Sequence, residues 1–152
     1  MPEPLHPWID TSAISLDQDL GSDLEAVLRR LTEFLGRTGR VSDEQQFVAD
    51  VLAREARGST SLPGGLGLPH ARSAAVETES LAFARLPRSL QAPSRMAIDL
   101  VFLLGAPAHD SDGYLRMLKT VATGCARPGF LSDCRSAETA EQVEHLLSRT
   151  FK

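Results

Sequence analysis

The 152-residue chain has only two cysteines. Cys125 and Cys134 sit nine residues apart and match no CxxC or zinc-ligand spacing. They read as reduced thiols that fill space. There is no excess of basic residues: 16 Lys and Arg stand against 20 Asp and Glu, for a net charge of −4. That excludes a basic nucleic-acid-binding domain, which needs cations to displace counterions from phosphates. No long apolar run is present either. The greasiest stretch, Ala97 to Ala108, contains Asp99 and falls far short of the roughly 20 residues that span a bilayer. The opening MPEPLHPWID lacks the apolar core of a signal peptide. Internal repeats and low-complexity tracts are missing. A soluble, cytoplasmic protein with no direct membrane insertion is the expectation.

What is present is an ordinary globular composition, 42% hydrophobic and 24% charged. A chain this long buries about two-thirds of its unfolded surface, so one domain needs no disulfide. Residues 1–22, with Pro2, Pro4 and Pro7, suggest an irregular arm pinned by Trp8. A short strand at Ser12–Leu16 is possible within it. The body should be residues 23–152.

Ser22 and Glu25 have capping-box spacing, and Leu24, Val27, Leu28, Leu31 and Leu35 recur at helical period. This predicts a helix from Asp23 to Leu35, ending near Gly36 and Gly39. Ser42 and Gln45 repeat the signature ahead of a second helix, Asp43 to Arg57. Ser80–Leu86 alternates like a strand, and Ala97–Leu104 is continuous enough for a strand buried on both faces. Pro87–Arg95 between them reads as polar loop. A third helix is read from Leu115, Leu118, Ala122 and Cys125, stopped by Pro128 and Gly129, and a last one spans Ala137 to Ser148. Helices interleaved with buried strands predict a single α/β layered domain.

The segment Gly58–His70, GSTSLPGGLGLPH, is different in kind. Its four Gly and two Pro make it a shaped loop that closes on a histidine. Amides freed by Gly64, Gly65 and Gly67 could face an anion, and Arg54 is near in sequence. The other three histidines are less suggestive. His6 reads as surface in the arm, His145 as solvated on a polar helix, and His109, beside Asp110 and Asp112, as turn chemistry. No metal cluster or cofactor motif stands out.

The stretch Val51–Ala71, VLAREARGSTSLPGGLGLPHA, resembles the active-site signature of phosphotransferase-system enzyme IIA domains of the fructose/mannitol type, which include the nitrogen-regulatory kind. Arg54-Glu55, Ser59-Thr60, Gly64-Gly65, Pro69-His70 and Ala71 match the family pattern in order and spacing. Pro63 and Gly67 depart from it. Further similarity runs from about Asp23 to Leu147.

The resemblance implies a mixed sheet of four or five strands with helices on both faces. It also implies a phosphocarrier, with His70 taking a phosphoryl group from a histidine phosphocarrier protein. His70 would pass it to an enzyme IIB-like domain in sugar transport. A regulatory binding module of the nitrogen-regulatory kind is the alternative, holding target proteins in a way that depends on His70 phosphorylation or no longer needs it. Arg54, Thr60, Tyr114 and Gly65 would then bind phosphate, and Leu66 and Leu68 would contact partners. The scheme needs no metal or cofactor. One departure stands at the site itself: Tyr114 occupies the place where the family usually has a second histidine. A phenol donates a hydrogen bond but, with a pKa of about 10, is not a cation near neutrality.

Overall fold

The computed structural model describes residues 6–152. The elements run β1 (Ile9–Leu16), α1 (Leu24–Arg37), α2 (Glu44–Ala56), β2 (Ser61–Leu62), β3 (Leu66–Gly67), β4 (His70–Ser73), β5 (Ser80–Gln91), β6 (Ala97–Pro107), α3 (Ser111–Cys125), α4 (Phe130–Ser136) and α5 (Ala140–Thr150). Six strands form one mixed sheet in the order β1-β5-β6-β3-β2, with β4 also beside β6. β5 and β6 are antiparallel, whereas β1 on β5 and both β3 and β4 on β6 are parallel. This is the layered α/β arrangement expected.

Alternation along the central strands builds two cores. Ala82, Ala84, Val101 and Leu103 face one way and meet Leu28, Leu31 and Leu35 of α1 and Phe47 and Val51 of α2. Leu81, Phe83, Leu100, Phe102 and Leu104 face the other way and meet α3, α4 and α5. Phe102 lies at the centre of the second core, its ring 5.1 Å from Phe83, 6.2 Å from Phe130 and 6.0 Å from Phe151. Cys125 and Cys134 are buried free thiols in the same core, as their spacing suggested. Among the described residues no helix is long and apolar enough to cross a membrane.

Several boundaries differ from the sequence reading, each for a local reason. β1 begins at Ile9 rather than Ser12, so the described part of the arm is largely sheet. Pro2 and Pro4 lie outside the described residues. Trp8 is buried and its indole donates to Glu79 at 3.0 Å, which pins the segment. His6 is a correction: it is buried, not surface. It accepts the Trp8 amide on Nδ1 and sets Nε2 against the Phe151 carbonyl. β5 continues past Pro87 to Gln91, where a loop was expected. The β1 partner ends opposite Arg85, and the β5–β6 register shifts beyond that point, so Pro87 has no ladder bond to break. α4 was missed because Pro128-Gly129 reads as a stop; Gly129, at φ +85°, turns the chain straight into a new helix. α5 starts at Ala140 because the Thr139 side chain caps it, accepting from the Gln142 amide at 3.1 Å.

The Gly-rich segment is less irregular than its composition suggests. It folds as a hairpin, β2 with β3, tipped by Gly64 and Gly65 at φ +97° and +82°. The chain then steps along β6, leaving β3 opposite Leu100–Val101 and entering β4 opposite Leu104–Pro107. His70 is the first residue of β4.

Candidate active site

His70 sits where β4 begins, with its Cα opposite Leu104 and the preceding Pro69 carbonyl accepting from the Leu104 amide at 3.0 Å. Its neighbour Ala71 packs into the core under α1 and α2. Alternation therefore sends the imidazole to the opposite face, toward the first turn of α3. There it meets Tyr114, ring centroids 5.7 Å apart and planes tilted by 52°. The α3 turn is set by Asp110, whose side chain accepts from the Gly113 amide at 3.0 Å.

The imidazole is oriented from below. Its Nδ1 lies 2.7 Å from the Leu68 carbonyl oxygen. A carbonyl only accepts, so Nδ1 carries the proton and Nε2 keeps its lone pair. His70 is only 8% exposed. Burial lowers its pKa below the ordinary 6.5, against the Leu68 bond, which raises it; nearby Arg54 lowers it and Glu55 raises it. The neutral form of the ring is thus favoured at physiological pH, with a lone pair on Nε2.

A pocket of about 350 Å³ opens nearby, sharing Tyr114 with the His70 ring but not lined by His70 itself. Asp50, Ala53, Arg54 and Arg57 line one wall, a stripe at helical spacing on α2 and its C-cap. Ala71 to Ala74 form the floor, and Ala108 and Tyr114 the far wall. Arg54, Arg57 and Arg72 thus all line one cavity. The Asp50 carboxylate is occupied, accepting from Ser73 Oγ at 2.6 Å and Gln46 Nε2 at 2.9 Å. Arg72 donates to the Ala108 carbonyl at 3.2 Å and lies 5.9 Å over the Tyr114 ring. Burial raises the Tyr114 pKa above 10, although Arg54, Arg72 and Arg57 each pull it down. The phenol stays a neutral donor.

The residues suggested by sequence fare differently. Arg54 and Tyr114 both line the pocket next to His70. One Arg54 nitrogen is already engaged, donating to the Gly58 carbonyl at 3.0 Å. Thr60 is close in the chain path, its carbonyl accepting from the Leu68 amide, but its hydroxyl donates to Glu55. Gly65 is not brought to this group. Its carbonyl accepts from Asp99 and Leu100 at the start of β6, whereas His70 faces Leu104. Four residues of strand, about 13 Å, separate them. A Cβ at Gly65 would press on Asp99 and Arg135, so the glycine serves the hairpin turn. Leu66 and Leu68 were expected at the partner surface. At 2% and 7% exposed they pack the hairpin onto the second core. Leu115, 62% exposed beside Tyr114, is the large apolar side chain that faces solvent here.

Arg57 and Arg72 were missed. Both had a signal: Arg57 lies one helical turn after Arg54, and Arg72 two strand residues after His70. Among the described residues no group of three or more His, Cys, Asp or Glu gathers as a metal site.

The family profile described as "Phosphoenolpyruvate-dependent sugar phosphotransferase system, EIIA 2" matches residues 8–150. The chain is 32% identical over 123 residues to the 2-O-α-mannosyl-D-glycerate-specific EIIABC component of the phosphotransferase system of Escherichia coli (strain K12). That match covers 78% of this chain but spans only 19% of the longer protein. The nitrogen regulatory protein of Pseudomonas aeruginosa is 27% identical over 129 residues, 84% of each chain. Among solved structures, the nitrogen regulatory protein IIA-Ntr from Neisseria meningitidis superposes with a TM-score of 0.81. Identity there is 26%, over 91% of this chain and 94% of that one. A profile that matches nearly the whole chain, joined to this fold, places the protein in the EIIA 2 family of the phosphoenolpyruvate-dependent sugar phosphotransferase system.

Proposed function

We propose that the protein is a phosphocarrier whose His70 Nε2 accepts a phosphoryl group from the phosphohistidine of a small carrier protein. It then passes the group to an EIIB-like partner domain. The observation that carries this reading is the Nδ1 contact with the Leu68 carbonyl, which leaves Nε2 as the nucleophilic nitrogen. In the transfer the Nε2 lone pair forms the new N–P bond. The donor P–N bond breaks, and its electron pair returns to the donor imidazole. The donor ring, protonated on its other nitrogen, leaves as neutral imidazole, while His70 keeps its Nδ1 proton on the Leu68 carbonyl and carries the positive charge as a phosphoimidazolium. Charge on the three equatorial oxygens needs donors in line with the approach. Arg54 and the Tyr114 phenol supply two of them, and Leu115 on the exposed side of α3 offers an apolar contact for the carrier.

The test is incubation with phosphoenolpyruvate, the first enzyme of the system and its carrier, followed by intact mass. One phosphoryl group should be gained, labile to acid and stable to alkali, and His70→Ala should abolish it. A regulatory role is the second reading, kept open by the similarity to nitrogen regulatory proteins. Adding an EIIB-like acceptor separates the two. Discharge of the adduct supports transport, whereas a persistent adduct that alters partner binding supports regulation.

A further inference from the structure

The donors first expected around His70 are partly spent. The Thr60 hydroxyl is held by Glu55, one Arg54 nitrogen by the Gly58 carbonyl, and Gly65 lies far down the strand. Two other cations stand in the pocket. His70 and Arg72 are two residues apart on β4 and share its face. They flank the same phenol, with the His70 ring 5.7 Å and the Arg72 guanidinium 5.9 Å from the Tyr114 centroid. Arg72 is also pre-positioned: one of its five N–H donors reaches the Ala108 carbonyl at 3.2 Å, and the ring face supports the rest of the fork. A planar fork held in this way can take two oxygens of a phosphate side-on. Arg57, on the opposite wall, adds charge to the same cavity.

We propose that Arg72, seconded by Arg57, is the main protein contact for a phosphate-class dianion beside His70, and so the residue that steadies the phosphoryl group in transfer. The inference rests on the reading of His70 as phosphoacceptor, yet the pocket's affinity for an anion is measurable without any transfer. The full chain, isotope-labelled and unphosphorylated, is titrated with inorganic phosphate at pH 8 while the ring signals of His70 and Tyr114 are followed by NMR. Saturable shifts are expected in the wild type. Arg72→Gln should weaken binding about tenfold or more, the loss of a charge-assisted pair. Arg72→Lys should recover part of it, and Arg149→Gln, on the distant α5, should match the wild type. Because Arg72 is exposed, the dispersion of the variant spectra checks that the fold is kept. The proposal is overturned if the wild type shows no shift, or if Arg72→Gln binds phosphate as well as the wild type does. Arg72-dependent binding in a chain that never acquires a phosphohistidine would instead overturn the phosphoacceptor reading and leave the anion site standing.

Discussion

At the scale of single residues, His70 owes its proposed role to two opposing influences. Burial keeps the ring neutral, and the Leu68 carbonyl fixes which nitrogen holds the proton. A consequence follows for pH. The lone pair is lost only when the ring protonates, and that happens below the ordinary histidine value because burial lowers the pKa. The midpoint of the acid-side loss in the rate of phosphoryl uptake from a charged carrier should therefore lie below the ordinary histidine value of about 6.5. A rapid-quench profile corrected for the donor's own titration checks this; a midpoint at or above about 6.5 would mean the imidazole is not desolvated. Tyr114 belongs to the same argument. As a neutral phenol it donates one hydrogen bond and adds no charge, so the arginines carry the electrostatic load of the site.

At the scale of elements, the site depends on how β4 lies along β6. Gly105 stands opposite Ala71, one residue from the His70–Leu104 pair. A Cβ there would come within 2.9 Å of Phe47 Cζ and 3.2 Å of Val76, both in the packed core. Gly105→Ala should cost about 1–3 kcal/mol of stability through overpacking, read as a lower denaturant midpoint, and should slow phosphoryl uptake because β4 must shift. These elements were unequally legible in the sequence. α1 and α2 show clear period and caps, and the core of β6 is a continuous apolar run, so their residues announced themselves. The β2–β3 hairpin and β4 did not, because strands of two to four residues carry no period and β3 and β4 find their partner about 34 residues away on β6. The same blindness explains the site. His70, Arg54 and Tyr114 were found through a motif. Gly65 was misplaced because proximity in sequence within a Gly-rich loop says nothing about how far the chain advances along a neighbouring strand. Leu66 and Leu68 were misjudged because which loop leucines point inward is decided by that same pairing.

At the scale of the whole molecule, helices on both faces give two cores divided by one sheet, and both cysteines are committed to one of them. Burial pushes each thiol pKa up to about 12 from an ordinary 9.0. The folded state thus holds protons that the unfolded chain releases above pH 9, so stability is full below that value and is lost as pH rises toward 12. Thermal unfolding between pH 7.5 and 10.5 should show the melting temperature falling above 9, with a shallower fall in Cys134→Ala even though that variant starts lower. The central claim concerns a different property of the molecule, its ability to carry one phosphoryl group. Intact mass after incubation with phosphoenolpyruvate, the first enzyme and the charged carrier tests it most directly. A single acid-labile phosphoryl adduct that disappears in His70→Ala is expected; an unmodified wild-type chain beside a fully charged carrier, or an adduct that survives His70→Ala, would rule out His70 as the phosphoacceptor.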